Sequence, residues 1–166
     1  MNDVNDAQIE ALLPHRRDAL LVDRIVETCS RTGSGVIASE FTSLTVSVLR
    51  QRLAPMDADE ENVDGVVPPL FVLEAFAQAC GIVWSLVGAD DNPDRRGLIL
   101  GAARGVTFHT TANADVTLLH RVAIDSDSGS NATFSGEIVT AGEDISVATV
   151  ESLLAVRSPH DTEPRS

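Results

Sequence analysis

The chain has no lysine and no tyrosine among its 166 residues, and all 12 of its basic residues are arginine. The arginines are scattered, as Arg16-Arg17, Arg50 and Arg52, and Arg95-Arg96. With a net charge of −13, this excludes a nucleic-acid surface, which needs clustered cations to neutralise phosphates. Only a small basic docking patch could form. The arginine-only usage reads as genome composition rather than function. Cysteine is scarce: Cys29 and Cys80 are the two thiols, they lack metal-ligand spacing, and Cys80 sits in an apolar run. That placement fits core packing in a reducing cytoplasm. The start, MNDVNDAQIE, is acidic and polar, so no signal peptide is expected. No phosphate loop is present, because Gly101 and Gly105 are not followed by a helix carrying Lys-Ser/Thr. Asp57, Asp59, Glu60 and Glu61 are adjacent acids in a polar stretch, the pattern of a solvated face rather than a metal site. No metal, nucleotide or flavin cofactor is implied.

What is present is one carboxylate in an apolar setting. Pro68-Pro69 opens the run LFVLEAFAQACGIVWSLV, Leu70 to Val87, whose single charge is Glu74. A carboxylate among Leu, Phe and Ala is costly to bury, so it must be partnered, protonated or functional. Gln78, Gly81 and Ser85 follow at i+4, i+7 and i+11, which sets one narrow polar or small stripe on a greasy helix. The run is barely long enough to span a bilayer, carries Glu and Gln, and has no positive flank. The reading is a buried helix of about Pro69–Val87 and no membrane. Position alone leaves Glu74 open between a structural carboxyl bonded to a backbone donor or Arg and a working group.

The remaining chain alternates short elements and turns. DAQIEALL reads as a short amphipathic helix ended by Pro14. LLVDRIVET and GVIASEFTS read as strands around the Thr32–Gly35 turn, and Asp23-Arg24 as a local structural ion pair. Within Thr45–Asp64, TVSVLRQRL fits strand or helix and PMDADEENVDG an acidic loop. Four long β-type segments follow the apolar helix: GLILGAARGVTF, ADVTLLHRVAIDS, ATFSGEIVTA and DISVATVESLLAV, separated by short polar turns. This ordering predicts an α+β domain, an antiparallel meander curved around one long helix. We expect one domain over residues 1–158, with 45–65 a divergent loop or insertion and 159–166 a polar tail.

Three stretches, in order, resemble bacterial 3-hydroxyacyl-ACP dehydratases of the hot-dog fold. They are LLPHRRDALLVDRIVE (Leu12–Glu27), VVPPLFVLEAFAQACGI (Val66–Ile82) with its Leu-Glu-Ala-x-Ala-Gln core, and LILGAARGVTFHTTANADVTL (Leu98–Leu118). The resemblance spans most of Ala7 to Val156. It implies a curved antiparallel sheet wrapped around the central helix, and a dimer whose sheets join, with active sites at the interface. It implies reversible loss of water from a 3-hydroxyacyl thioester borne by an acyl carrier protein, in fatty-acid or polyketide biosynthesis. In this family a His base from one protomer faces an acid on the partner's helix. A backbone N–H at the helix start holds the thioester carbonyl as charge develops. On that resemblance Glu74 is the catalytic acid, Gln78 an orienting residue, and Pro68-Pro69 the substrate-binding helix start.

The family's Gly-His-Phe loop before the helix is absent here. A gapless count back from Glu74 puts its His near Glu60, and no His occurs between His15 and His109. Pro68-Pro69 stands where the family has Pro-Gly, and proline has no N–H to donate. Among the histidines, His15 is expected to bond a backbone carbonyl in the turn after the first helix. His109 is expected at a solvated strand end, His120 on a sheet face and His160 in the tail. None shows the spacing of a catalytic triad. The expected function is therefore a dehydratase subunit whose Glu74 faces a His on a different hot-dog subunit, as a heterodimer in the cytoplasm. Two alternatives remain: a non-catalytic subunit that binds acyl chains or stabilises a partner, and an acyl thioesterase.

Overall fold

The computed structural model describes residues 6–13, 15, 19–53, 65–87 and 98–157. The acidic stretch with Asp57, Asp59, Glu60 and Glu61, the polar tail with His160, and Pro14 lie outside the described residues. The elements are α1 (Asp6–Leu12), β1 (Arg24–Cys29), β2 (Ser34–Glu40), α2 (Ser43–Leu53), β3 (Val66–Val67), α3 (Pro69–Val87), β4 (Leu98–Phe108), β5 (Ala112–Asn113), β6 (Thr117–Asp127), β7 (Asn131–Thr140) and β8 (Ser146–Arg157). Six strands form one antiparallel sheet in the order β1-β2-β6-β7-β8-β4, and β3 pairs with β5 in a small second sheet. Helix α3 lies against β6, β2 and β1. This is the expected α+β layer, a sheet around a long helix.

Helix α3 forms where the apolar run predicts it. Pro69 occupies the first helical position, where its missing N–H costs nothing. The Pro68 carbonyl accepts from the amides of Phe71 and Val72 at 3.0 and 3.3 Å. From Val72 to Trp84 the helix is buried on nearly every side, including Ala75, Phe76, Ala79, Cys80, Ile82 and Val83. Each large apolar side chain so buried contributes roughly 1.5–3 kcal/mol. Length and composition would let this helix cross a membrane, but 61% of its apolar window is buried inside the protein, as in a core helix. Trp84 anchors its far end: Nε1 donates to Asp127 at 2.8 Å, and the ring meets Phe134 edge-on at 5.9 Å. The Arg157 guanidinium lies 4.0 Å over the same ring. The helix also sits close to the sheet. A Cβ on Gly35 in β2 would stand 2.7 Å from Val83 Cγ2, so only glycine fits there.

One expectation about local structure is corrected, and one left open is decided. The strand expected from Leu20 begins only at Arg24. Leu21 N–H is taken by the Gln78 side chain instead of a neighbouring strand. In the 45–65 stretch, TVSVLRQRL, open between strand and helix from its sequence, lies in a helix through residue 53. Thr42 caps that helix, its hydroxyl accepting the Thr45 amide at 3.1 Å and its carbonyl the Val46 amide at 2.9 Å. Val46 and Leu49 then turn into the core, and Arg50 donates to the Val66 carbonyl at 2.7 Å. That contact ties α2 to the entrance of α3.

Candidate active site

The site is built from one turn of α3 and the segment before β1. Gln78 is fully buried and bonds in three directions. Its Oε1 accepts the Leu21 amide at 2.9 Å, while its Nε2 donates to the Ala19 carbonyl at 2.8 Å and to Glu74 Oε1 at 3.1 Å. The i,i+4 spacing brings Glu74 and Gln78 onto one face, and the two backbone contacts fix which way the amide points. His15 also comes to Glu74, with Nε2 3.4 Å from Oε1. Its expected role, bonding a backbone carbonyl, gives way to this contact with the candidate acid.

Glu74 is partly buried, and its pKa lies below the ordinary glutamate value. The His15 contact is the largest cause and the Gln78 bond a smaller one; desolvation works against both. The resting carboxylate is thus ionised near neutral pH, with Oε1 receiving both donors. Among the described residues, Oε2 accepts no hydrogen bond. At the helix start, Pro68 and Pro69 offer carbonyls but no amide donors, and Leu70 carries the first N–H after them. Of the stripe, Gly81 is buried and Ser85 partly so.

The other described histidines lie elsewhere. His109 follows β4, exposed, with Nε2 3.1 Å from the Thr149 hydroxyl. His120 is wholly buried on the core face of β6, bonded through Nε2 to Ser39 Oγ at 2.8 Å and tilted against Phe76. Burial pushes its pKa down from 6.5 to about 3, so the ring is neutral in the fold and takes a proton only when the chain unfolds. Its contribution to stability is complete above its unfolded pKa and is lost as pH falls toward 3. Between pH 7.5 and 5 we expect about 2 kcal/mol of extra loss in the natural chain relative to His120→Gln. Urea unfolding at the two pH values measures this, and equal losses in both proteins would contradict it. No group of three or more His, Cys, Asp or Glu able to hold a metal occurs among the described residues.

A single long helix gripped by an antiparallel sheet, with a carboxylate and a glutamine one turn apart on it, defines a hot-dog-fold protein. The sequence pattern of the ApeP-like family, described as ApeP dehydratase, matches residues 7–164, and the chain belongs to that family. The curated 3-hydroxyacyl-[acyl-carrier-protein] dehydratase FabZ of Chlamydia trachomatis serovar L2 is 29% identical over 147 residues, covering 86% of this chain and 90% of its own length. Among solved structures, the dehydratase heterocomplex ApeI:P from Xenorhabdus doucetiae contains a chain with a TM-score of 0.68 at 19% identity, with 93% of each chain covered. A hypothetical thioesterase with coenzyme A from Streptococcus pneumoniae shares the fold at a TM-score of 0.57 and 11% identity, over 82% of this chain and 85% of its own. These two likenesses concern the fold. The family match makes the chain a dehydratase-family protein, as the resemblance of its motifs implies.

The sequence reading missed the His15–Glu74 contact and the full reach of Gln78. One signal was available: PHR…LLVDR and LEAFAQ occur in order, each with polar groups that need partners. Their register against one another could not be read from either.

Proposed function

We propose that this chain is one half of a split 3-hydroxyacyl-ACP dehydratase site, contributing Glu74 to a heterodimer whose second hot-dog subunit contributes the base. The observation that carries this reading is Glu74 itself, an anchored carboxylate with one oxygen that accepts no hydrogen bond among the described residues, in a chain without the Gly-His-Phe loop. In the reaction, the partner's imidazole takes the proton alpha to the thioester carbonyl. The Cα–Cβ double bond forms as the C–O bond breaks, and Glu74 supplies the proton that lets the hydroxyl leave as water. Burial under a partner raises the carboxyl pKa, opposing the effect of His15 and Gln78 and making the protonated form accessible. Gln78 orients the acid. With Pro68-Pro69 at the helix start, Leu70 carries the first amide that could donate to the thioester carbonyl.

The edge of the sheet supports a partner. Strand β4 ends the sheet order, and residues 99–105 are exposed along its length, with Ile99 55% and Leu100 38% accessible. A long edge strand with exposed apolar side chains is a pairing surface unless something covers it. The curated relative is named for a carrier-protein substrate, and we assign the same class to this chain. Carrier proteins are acidic, so a chain of charge −13 repels them. A more basic partner supplies the docking surface. Such chemistry serves fatty-acid or polyketide biosynthesis in the cytoplasm. Co-expression with a Gly-His-Phe-bearing hot-dog protein followed by native mass spectrometry tests the pairing. A mixed dimer is expected; a chain that only self-associates would overturn it.

A further inference from the structure

We infer that His15 is the positioning residue of Glu74, holding one carboxylate oxygen so that the other meets the substrate. The inference rests on the reading of Glu74 as the catalytic acid. Two groups from different parts of the chain converge on one atom: Gln78 Nε2 donates to Oε1 at 3.1 Å, and His15 Nε2 lies 3.4 Å from the same oxygen. A carboxylate on a helix can rotate about its terminal bonds, and two such contacts on one oxygen restrict that freedom. Gln78 is locked by the Ala19 carbonyl and the Leu21 amide.

The pair is also open on one side. The side chains of His15 and Glu74 keep 28% and 38% of their exposure, whereas Gln78 beneath them has 1%. The buried glutamine is thus the foundation and the histidine the outer support, next to the space a ligand would occupy. With Oε1 engaged, Oε2 takes no hydrogen bond among the described residues and is the oxygen left to meet the departing hydroxyl. A displacement of about 1 Å at such a group costs on the order of 100-fold in rate. Losing His15 should therefore act on turnover more than on binding.

The test uses the complex of this chain with its His-bearing partner, turning over a 3-hydroxyacyl pantetheine thioester. His15→Leu is expected to lower kcat about 10- to 100-fold with KM within about 2-fold. His15→Gln, whose amide nitrogen can take the place of Nε2, should recover most of kcat. His15→Asn, too short to reach Oε1, should be as slow as His15→Leu, and it decides the matter if the leucine variant does not assemble. The inference is overturned if His15→Asn or His15→Leu assembles and keeps full kcat, or if His15→Gln is as slow as His15→Asn. Glu74→Gln is assayed in parallel. If that variant keeps its rate, the reading of Glu74 is wrong. If it loses its rate while His15→Asn does not, only the positioning role is wrong.

Discussion

Glu74→Gln should lower the dehydration rate of the assembled protein by about 10²- to 10⁴-fold, the span attached to a positioned proton donor. The substitution is nearly isosteric and keeps an oxygen where Oε1 receives Gln78 and His15. The fold and the dimer should therefore survive it, which makes the rate the informative readout. What disappears is the ability to hold and release a proton at neutral pH. Circular dichroism and native mass spectrometry establish that the variant is folded and assembled; single-turnover dehydration then measures the loss. An unchanged rate would reduce Glu74 to a structural carboxyl and favour the non-catalytic reading of the chain. Hydrolysis of the thioester without dehydration would favour the thioesterase chemistry that a helix carboxylate on this fold can also support.

Gln78→Leu should have the second largest effect, and on two properties at once. Leucine fills much of the space but offers no acceptor, so the buried Leu21 amide loses its partner. An unsatisfied buried donor costs about 1–3 kcal/mol, which corresponds to a fall in Tm of roughly 2–10 °C for a chain of this size. The Ala19 carbonyl and Glu74 Oε1 each lose a donor as well. Because the same amide also orients Glu74, turnover should fall at least about 10-fold. Gln78→Glu is the useful companion, since it keeps an acceptor for Leu21 but brings a second carboxylate against Glu74 and the Ala19 carbonyl. Like charges one helical turn apart disfavour ionisation. That variant should keep more stability than Gln78→Leu and should require a higher pH before both carboxyls are ionised.

These expectations depend on contacts that periodicity could not supply. Helix α3 was readable end to end, because an uninterrupted apolar run between Pro69 and Val87 has no other stable disposition. The late strands were readable for a similar reason: β6 alternates buried and half-buried residues over Leu118–Val122, and that is how it places His120 inward and Arg121 outward. The start of β1 was not, because Leu20–Asp23 has the composition of a strand while the Leu21 amide is taken by a glutamine far along the chain. Residues 45–53 carry both strand-like and helix-like features; the cap at Thr42 and the inward turn of Val46 and Leu49 decide for helix. At the site, the stripe Glu74–Gln78 could be read from spacing alone. The approach of His15 could not, since it depends on how two segments distant in the chain meet.

The central claim is that this chain holds half of a dehydratase site. The most direct measurement compares dehydration of a 3-hydroxyacyl-carrier protein by the purified chain, by a Gly-His-Phe-bearing hot-dog partner, and by the two co-assembled. The account predicts no turnover by the chain alone. The mixed assembly should turn over and should lose that activity both with Glu74→Gln in this chain and with removal of the partner's histidine. Turnover by the chain alone at the rate of the mixed assembly would contradict it.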